Sequence, residues 1–140
     1  DGRMVAGLPL RAKKKGGDLV EELASKSAPI AVGAALVTPG GKLGVTHVIH
    51  APIIEQVGLR IGVENIRRAT RAGLLAATHF QFAKVAIPGM GYGEGGVPHD
   101  HPGLAIIDEI RAYKVTPPCD VVLMDKDPEM VKAFRTQLGE

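Results

Sequence analysis

The sequence predicts an α/β domain with helices on both faces of a central sheet. Segments in which apolar residues recur with helical spacing alternate along the chain with short apolar runs that resemble strands. Glycines and prolines separate these segments, as turn-forming residues do between helices and strands. The length of 140 residues matches one ordinary domain, because single cores usually contain roughly 100 to 200 residues.

The composition is that of a globular chain with a core of small aliphatic residues. Hydrophobic residues make up 45% and charged residues 23%, which excludes disordered and collagen-like proteins. Lys and Arg outnumber Asp and Glu by 17 to 15, an excess too small to indicate nucleic acid as a partner. The sequence shows neither a signal-peptide pattern nor a long apolar run, so we expect a cytoplasmic location and no membrane partner.

The first half of the chain is predicted to contain two helices and a β-hairpin. Pro9 suits the first turn of a helix that runs through Lys15, and Asp18 suits the N-cap of a second helix. Two apolar runs, at residues 33–38 and 46–51, lie on either side of a Pro-Gly-Gly turn. These runs are predicted to be neighbouring antiparallel strands.

The second half alternates helices and strands. Helical spacing of apolar residues from 61 to about 78 predicts the longest helix. Asp127 and Pro128 supply an N-cap and a first-turn proline for the last helix. The remaining predictions are strands at 84–87 and 121–124, with helices at 104–113 and 128–138.

A glycine-rich loop follows the predicted strand at 84–87. Residues 89–96 include five glycines, so successive backbone N–H groups can point the same way and surround an anion. Ligands of α/β sheets bind beyond the carboxyl ends of the strands, which is where this loop begins. We therefore predict that it binds a phosphate or diphosphate group; a tight surface loop without a ligand is the alternative.

Gly91, Gly93 and Gly96 also match the dinucleotide pattern G-x-G-x-x-G. In a Rossmann unit the third glycine opens the helix, whereas here residues 97–102 intervene. A Rossmann-type NAD-binding oxidoreductase fragment stays as an alternative. So does a protein or RNA interaction module without a small ligand, for which the basic run at residues 11–15 could provide a surface.

His99 and His101 flank Asp100 in a pattern that could bring two imidazoles to one metal ion. Cys119 is the only thiol in the chain, and the sequence has no second His pair to complete a ligand set. We therefore predict a polar cap for the following helix, and neither a metal nor a cofactor.

Several of these segments, taken in order, resemble the macro domain family. They are residues 41–43 (GKL), 46–51 (THVIHA), the long helix, 85–88 (VAIP) and 91–98 (GYGEGGVP). The late strand and the terminal helix also fall in place, so the resemblance covers nearly the whole chain. It implies a three-layer α/β/α fold with a central mixed sheet, in a single domain over residues 1–140. It also implies that the family's N-terminal strand would lie upstream of Asp1.

The same resemblance implies binding of ADP-ribose or a related ADP-ribosyl metabolite or modification. Many macro domains also hydrolyse a bond at the distal ribose, which would make the chain an ADP-ribosyl hydrolase or an ADP-ribose phosphate-ester phosphatase. Asp125 falls on the adenine side, and neither a catalytic residue nor an oligomeric state is predicted. The implied diphosphate loop is Gly91, Tyr92, Gly93, Glu94, Gly95 and Gly96, and the implied distal-ribose loop is Val5, Ala6, Gly7 and Leu8.

Overall fold

The structure of the chain is a computed structural model that describes residues 18–26, 30–54, 61–93, 96–114 and 119–140. The helices in these ranges are α1 (Asp18–Lys26), α2 (Val63–His79), α3 (Asp100–Ala112) and α4 (Pro128–Leu138). The strands are β1 (Leu36–Pro39), β2 (His47–His50), β3 (Lys84–Ile87) and β4 (Asp120–Leu123). The order of helices and strands confirms the predicted α/β class. The helix predicted at 9–15 lies outside the described residues.

The strands β1 and β2 form the predicted hairpin. They are antiparallel, and Pro39 pairs with His47 at the end nearest the turn. Beyond this pair, the Gly40 N–H donates to the Thr46 carbonyl oxygen at 3.0 Å. A Cβ atom on Gly40 would clash with the Val45 carbonyl group, so the chain can return this closely only at a glycine.

Strand β1 begins later than the sequence predicts. The predicted run starts at Gly33, but Gly33 has a φ of 95°. It lies in a turn closed by a 3.0 Å hydrogen bond from the Ala34 N–H to the Ala31 carbonyl oxygen. Because this left-handed conformation cannot continue a strand, the ladder begins only at Leu36.

The strands β3 and β4 form a parallel ladder. Lys84 pairs with Asp120, and Ile87 pairs with Leu123. Within the described ranges the strands make two two-stranded sheets, one antiparallel and one parallel. Because parallel strands end at the same edge, the chain segments that follow β3 and β4 emerge side by side.

The helix α3 packs against both α2 and α4. Ile66 of α2, Ile106 of α3 and Met130 of α4 are fully buried in one hydrophobic cluster, which also includes Ile87 of β3. The side chain of Arg71 on α2 donates to both carboxylate oxygens of Glu109 on α3, at 3.2 and 3.0 Å. None of the described helices combines the length and the apolar character needed to cross a membrane.

The helix α3 begins at Asp100 rather than at residue 104. The polar residues before Leu104 suggest a loop, but Pro102 fits a first turn, where its missing N–H breaks no helical hydrogen bond. Gly103 follows, and a Cβ atom there would lie 3.3 Å from the Ala133 Cβ on α4. The small residue allows the two helices to approach closely.

The helix α4 has the boundaries that its local sequence predicts. The Asp127 side chain accepts a 2.9 Å hydrogen bond from the Glu129 N–H, and Pro128 occupies the first turn. Gly139 ends the helix in the left-handed conformation, with a φ of 83°. The carboxylate cap and the C-terminal glycine therefore fix both ends of α4.

Candidate functional site

The candidate site is the glycine loop, residues 89–96, together with the segment that follows β4. The Met124 N–H donates to the Ile87 carbonyl oxygen at 3.2 Å and extends the contact between the two strands. One residue further on, a carboxylate oxygen of Asp125 accepts a hydrogen bond from the Gly89 N–H at 3.0 Å. The loop and the end of β4 therefore form one surface at the carboxyl edge of the parallel ladder, where ligands of α/β sheets bind.

The loop folds back on itself through its own backbone. The Gly96 N–H donates to the Gly93 carbonyl oxygen at 3.0 Å, and the Val97 N–H donates to the Gly91 carbonyl oxygen at 2.9 Å. Tyr92 and Val97 form an isolated parallel bridge. These contacts hold residues 91–93 against residues 96 and 97.

Three glycines of the loop are required for different reasons. Gly91 has a φ of 73°, and a Cβ atom there would lie 2.7 Å from a methyl carbon of Ile61. Gly96 faces the Gly91 carbonyl group so closely that a Cβ atom would clash with it. Gly93 has a φ of 101°, but no atom lies within 4 Å of the position of a Cβ. The backbone conformation, and not packing, therefore favours glycine at position 93.

A backbone donor is available on this surface. Within the described part of the chain, the Gly91 N–H donates to no protein acceptor, whereas the parallel bridge between Tyr92 and Val97 pairs the Gly93 N–H with the Val97 carbonyl group. Both residues have positive φ angles, which side chains other than that of glycine rarely allow. Backbone N–H groups presented by alternating backbone conformations form concave sites for anions. The loop can therefore offer hydrogen bonds to a phosphate group without a basic side chain.

The Asp125 carboxylate accepts three hydrogen bonds, two of them from the loop. One oxygen accepts the Gly89 N–H at 3.0 Å. The other accepts the Tyr92 hydroxyl at 2.6 Å and the Asp127 N–H at 2.9 Å. Short hydrogen bonds to an ionised carboxylate are among the stronger ones in proteins. Asp125 therefore connects the start of the loop, its middle and the start of α4.

A second carboxylate supports the same loop from beside α4. His99 contacts the Tyr92 ring with a centroid separation of 4.8 Å, and its Nε2 lies 2.9 Å from a carboxylate oxygen of Asp127. The hydrogen bonds from His99 and from the Glu129 N–H hold the pKa of the Asp127 carboxyl below its usual range. Tyr92 is thus bonded to Asp125 directly and linked to Asp127 through His99.

The structure brings together part of the predicted site. Gly91, Tyr92, Gly93 and Gly96 form one surface, and Asp125 lies directly against it. Glu94 and Gly95 of the predicted diphosphate loop lie outside the described residues, as do Val5, Ala6, Gly7 and Leu8 of the predicted distal-ribose loop.

Sequence reasoning missed the partners of Tyr92 and His99. Tyr92 bonds to a residue 33 positions away in sequence, and His99 bonds to one 28 positions away. The available signal was topological: both carboxylates follow β4, the parallel neighbour of the strand that precedes the loop. His99 is committed to Asp127, and no cluster of three or more His, Cys, Asp or Glu side chains within the described ranges could hold a metal ion.

The comparison with protein families decides the assignment. A model of the macro domain matches residues 5–102. The chain belongs to the macro domain family. The matched segment includes the whole glycine loop and the start of α3, so it covers the candidate site except for the residues that follow β4.

This macro domain has relatives in bacteria and archaea. An uncharacterised protein of Aquifex aeolicus is 44% identical over 140 residues, which is 99% of this chain and 84% of that protein. An uncharacterised protein of Aeropyrum pernix is 44% identical over 85 residues, which is 61% of this chain and 45% of that protein. The chain thus resembles most of the first relative and less than half of the second.

Solved structures show the same fold. A variant of the Oceanobacillus iheyensis macrodomain with ADPR has a TM-score of 0.80 at 15% identity, covering 99% of this chain and 79% of that one. The same macrodomain with ADP has a TM-score of 0.79 at 15% identity, covering 99% and 77%. The macrodomain of Mycobacterium tuberculosis DarG has a TM-score of 0.74 at 22% identity, covering 90% and 83%. These matches confirm the predicted three-layer α/β/α fold.

Proposed function

We propose that this macro domain binds ADP-ribose or a related ADP-ribosyl metabolite or modification, with the diphosphate on the glycine loop. The observation that carries the proposal is the conformation of Gly93. Its φ of 101° places the backbone in a region that favours glycine, and no neighbouring atom occupies the space beside it. A glycine that packing does not require, at the carboxyl edge of a parallel ladder, leaves space for a ligand to approach the backbone.

The chemistry of the loop suits a diphosphate. The Gly91 N–H can donate to a phosphate oxygen, which carries negative charge and accepts hydrogen bonds strongly. The carbonyl groups of Gly91 and Gly93 already accept hydrogen bonds from Val97 and Gly96. The loop therefore offers a backbone donor to an anion while the acceptors beside it are engaged.

The family and its solved members support the same ligand. The Oceanobacillus iheyensis macrodomain was solved with ADPR and with ADP, both of which contain adenosine and a diphosphate. This chain shares that fold over nearly its full length. The proposed partners are therefore free ADP-ribose and ADP-ribosylated molecules. We propose neither nucleic acid nor a membrane as a partner.

Calorimetric titration of the purified protein with ADP-ribose, ADP and NAD tests the proposal. We expect one ADP-ribose per chain, bound more tightly than NAD. ADP should bind as well, because it carries the diphosphate, but with lower affinity because it lacks the distal ribose. Tighter binding of NAD, or no heat of binding with any of the three, would contradict the proposal.

Hydrolysis of a bond at the distal ribose is the catalytic form of this proposal. A loop that fixes the diphosphate would also orient the attached ribose, and a water molecule held beside it could then attack with little further loss of entropy. The test is incubation with an ADP-ribosylated protein and with an ADP-ribose phosphate ester, followed by chromatography. Release of ADP-ribose from either would assign an enzyme, and no product from either would assign a binding module.

A further inference from the structure

We propose that Asp125 is a positioning residue that holds the glycine loop in its diphosphate-binding shape and does not itself read the adenine base. The identity of the ligand in this inference rests on the proposed function, whereas the role of Asp125 in holding the loop does not. The sequence resemblance places Asp125 on the adenine side, so the two roles lead to different expectations for ligands that differ only in the base.

The first argument concerns the acceptor capacity of Asp125. An ionised carboxylate can accept about four hydrogen bonds. Asp125 already accepts three, from the Gly89 N–H, the Tyr92 hydroxyl and the Asp127 N–H. All three donors belong to this chain, and two of them lie in the glycine loop. Most of the acceptor capacity of the carboxylate is therefore committed to the protein.

The second argument concerns the packing around those donors. A Cβ atom on Gly89 would lie 2.6 Å from the Met130 Sδ and 2.8 Å from the Tyr92 ring, and Met130 is fully buried. The start of the loop is therefore enclosed between α4 and the Tyr92 ring. A displacement of that ring would disturb the backbone of Gly89, since no free space separates them.

The third argument concerns a second contact of the Tyr92 ring. His99 contacts the ring, and Asp127 bonds to His99 at 2.9 Å. The segment between β4 and α4 therefore holds Tyr92 through two carboxylates, one on its hydroxyl and one through the imidazole. Tyr92 lies between Gly91 and Gly93, which both have positive φ angles. Fixing Tyr92 therefore fixes the backbone on either side of it.

Asp125→Asn is the discriminating variant. It keeps the shape of the side chain but replaces one acceptor oxygen with an NH2 donor, so at least one of the three N–H or O–H partners is left without an acceptor. We expect the affinity for ADP-ribose to fall about tenfold, as losing a hydrogen bond to a charged group typically does. The affinity for an analogue with hypoxanthine in place of adenine should fall by the same factor. A loss confined to the adenine ligand would overturn the proposal.

Tyr92→Phe provides the matched control. It removes only the hydroxyl and leaves the ring against His99, so the affinity loss should be smaller than in Asp125→Asn. In the double variant the two losses should not add, because both remove the same hydrogen bond. Fully additive losses would show that Asp125 acts apart from Tyr92 and would contradict the proposal. If Asp125→Asn does not fold, Tyr92→Phe carries the same comparison of the two bases.

Amide hydrogen exchange tests the positioning role without any ligand. In the free protein, we expect Asp125→Asn to speed exchange at Gly89, where the acceptor is altered, and also at Gly96 and Val97, which are bonded only within the loop. Unchanged exchange at Gly96 and Val97 would overturn the positioning role. If the unmodified protein does not bind ADP-ribose, the proposed function fails, whereas the exchange result still tests the effect of Asp125 on the loop.

Discussion

The Gly91 carbonyl oxygen accepts a 2.9 Å hydrogen bond from the Val97 N–H, and Gly96 lies against the same carbonyl group. One peptide group thus closes the glycine loop and leaves no space for a side chain at position 96. The Gly91 N–H donates to no acceptor in the described part of the chain. One residue thus closes the loop through its carbonyl group and keeps its N–H available to a ligand.

Gly96→Ala should open the loop. Its Cβ atom would clash with the Gly91 carbonyl group, which is backbone and cannot move aside as a flexible side chain would. We expect the affinity for ADP-ribose to fall at least about tenfold, equivalent to about 1.4 kcal/mol, as measured by calorimetry.

Gly73→Ala is the control for that substitution. No atom lies within 4 Å of a Cβ at Gly73, which is in α2, so the change should raise the free energy of unfolding by about 0.5–1 kcal/mol without altering affinity. Equal affinities for the Gly96→Ala and unmodified proteins would contradict the assignment of the loop.

Gly93→Ala should separate ligand binding from stability. Gly93 has a φ of 101° with open space beside it, and Gly44 in the hairpin loop has a φ of 77° with equally open space. Alanine at either position should lower the free energy of unfolding by about 1–2 kcal/mol, because both require a left-handed conformation. Only Gly93→Ala should weaken ADP-ribose binding. Equal affinity losses in both variants would show that the effect at Gly93 comes from general destabilisation.

The contact between Arg71 and Glu109 should contribute more to stability than an ordinary surface ion pair, although the Arg71 side chain is exposed. Glu109 is 9% exposed, and both of its carboxylate oxygens bond to Arg71. The bonded Glu109 carboxylate raises the pKa of Arg71. We expect Arg71→Met to lower the urea midpoint of unfolding, since it leaves a buried carboxylate unpaired.

Adding Glu109→Gln to Arg71→Met should recover part of that loss, because the double variant contains no unpaired charge. A double variant less stable than Arg71→Met would contradict the assignment of the loss to an unpaired carboxylate.

His50 should make the stability depend on pH. Burial lowers its pKa, and its Nε2 lies 2.9 Å from the Thr38 hydroxyl oxygen. The folded state therefore favours the neutral ring. The resulting contribution is present above the unfolded pKa of about 6.5 and is lost as the pH falls through the lower, folded value.

The melting temperature should accordingly fall less between pH 8 and pH 5 in His50→Gln than in the unmodified protein. His101→Gln is the control, because His101 is exposed at the start of α3 and should leave the pH profile unchanged. Identical profiles for the unmodified and His50→Gln proteins would refute the role of His50.

Local signals predicted much of the fold. The Asp127-Pro128 pair marks the start of α4, because the cap and the proline act within one helical turn. The start of α3 was predicted too late because its first turn is polar, and the buried face begins at Pro102. Gly33, which starts the predicted first strand, lies in a turn instead, since composition alone does not determine φ.

The sequence predicted the glycine loop of the candidate site but not the side-chain contacts that hold it. The glycine loop is continuous in sequence, so its composition and its place after a strand indicated an anion site. The bond between Tyr92 and Asp125 joins residues 33 positions apart and depends on the parallel pairing of β3 with β4. Such a contact follows from topology, which one sequence does not encode locally.

The most direct test of the diphosphate site is a nuclear magnetic resonance titration of the ¹⁵N-labelled protein with ADP-ribose. The account predicts that the largest shifts of backbone amide signals occur at Gly91 and Gly93, and that ADP produces shifts at the same two amides. Saturable binding of ADP-ribose that leaves both amide signals unchanged would contradict it.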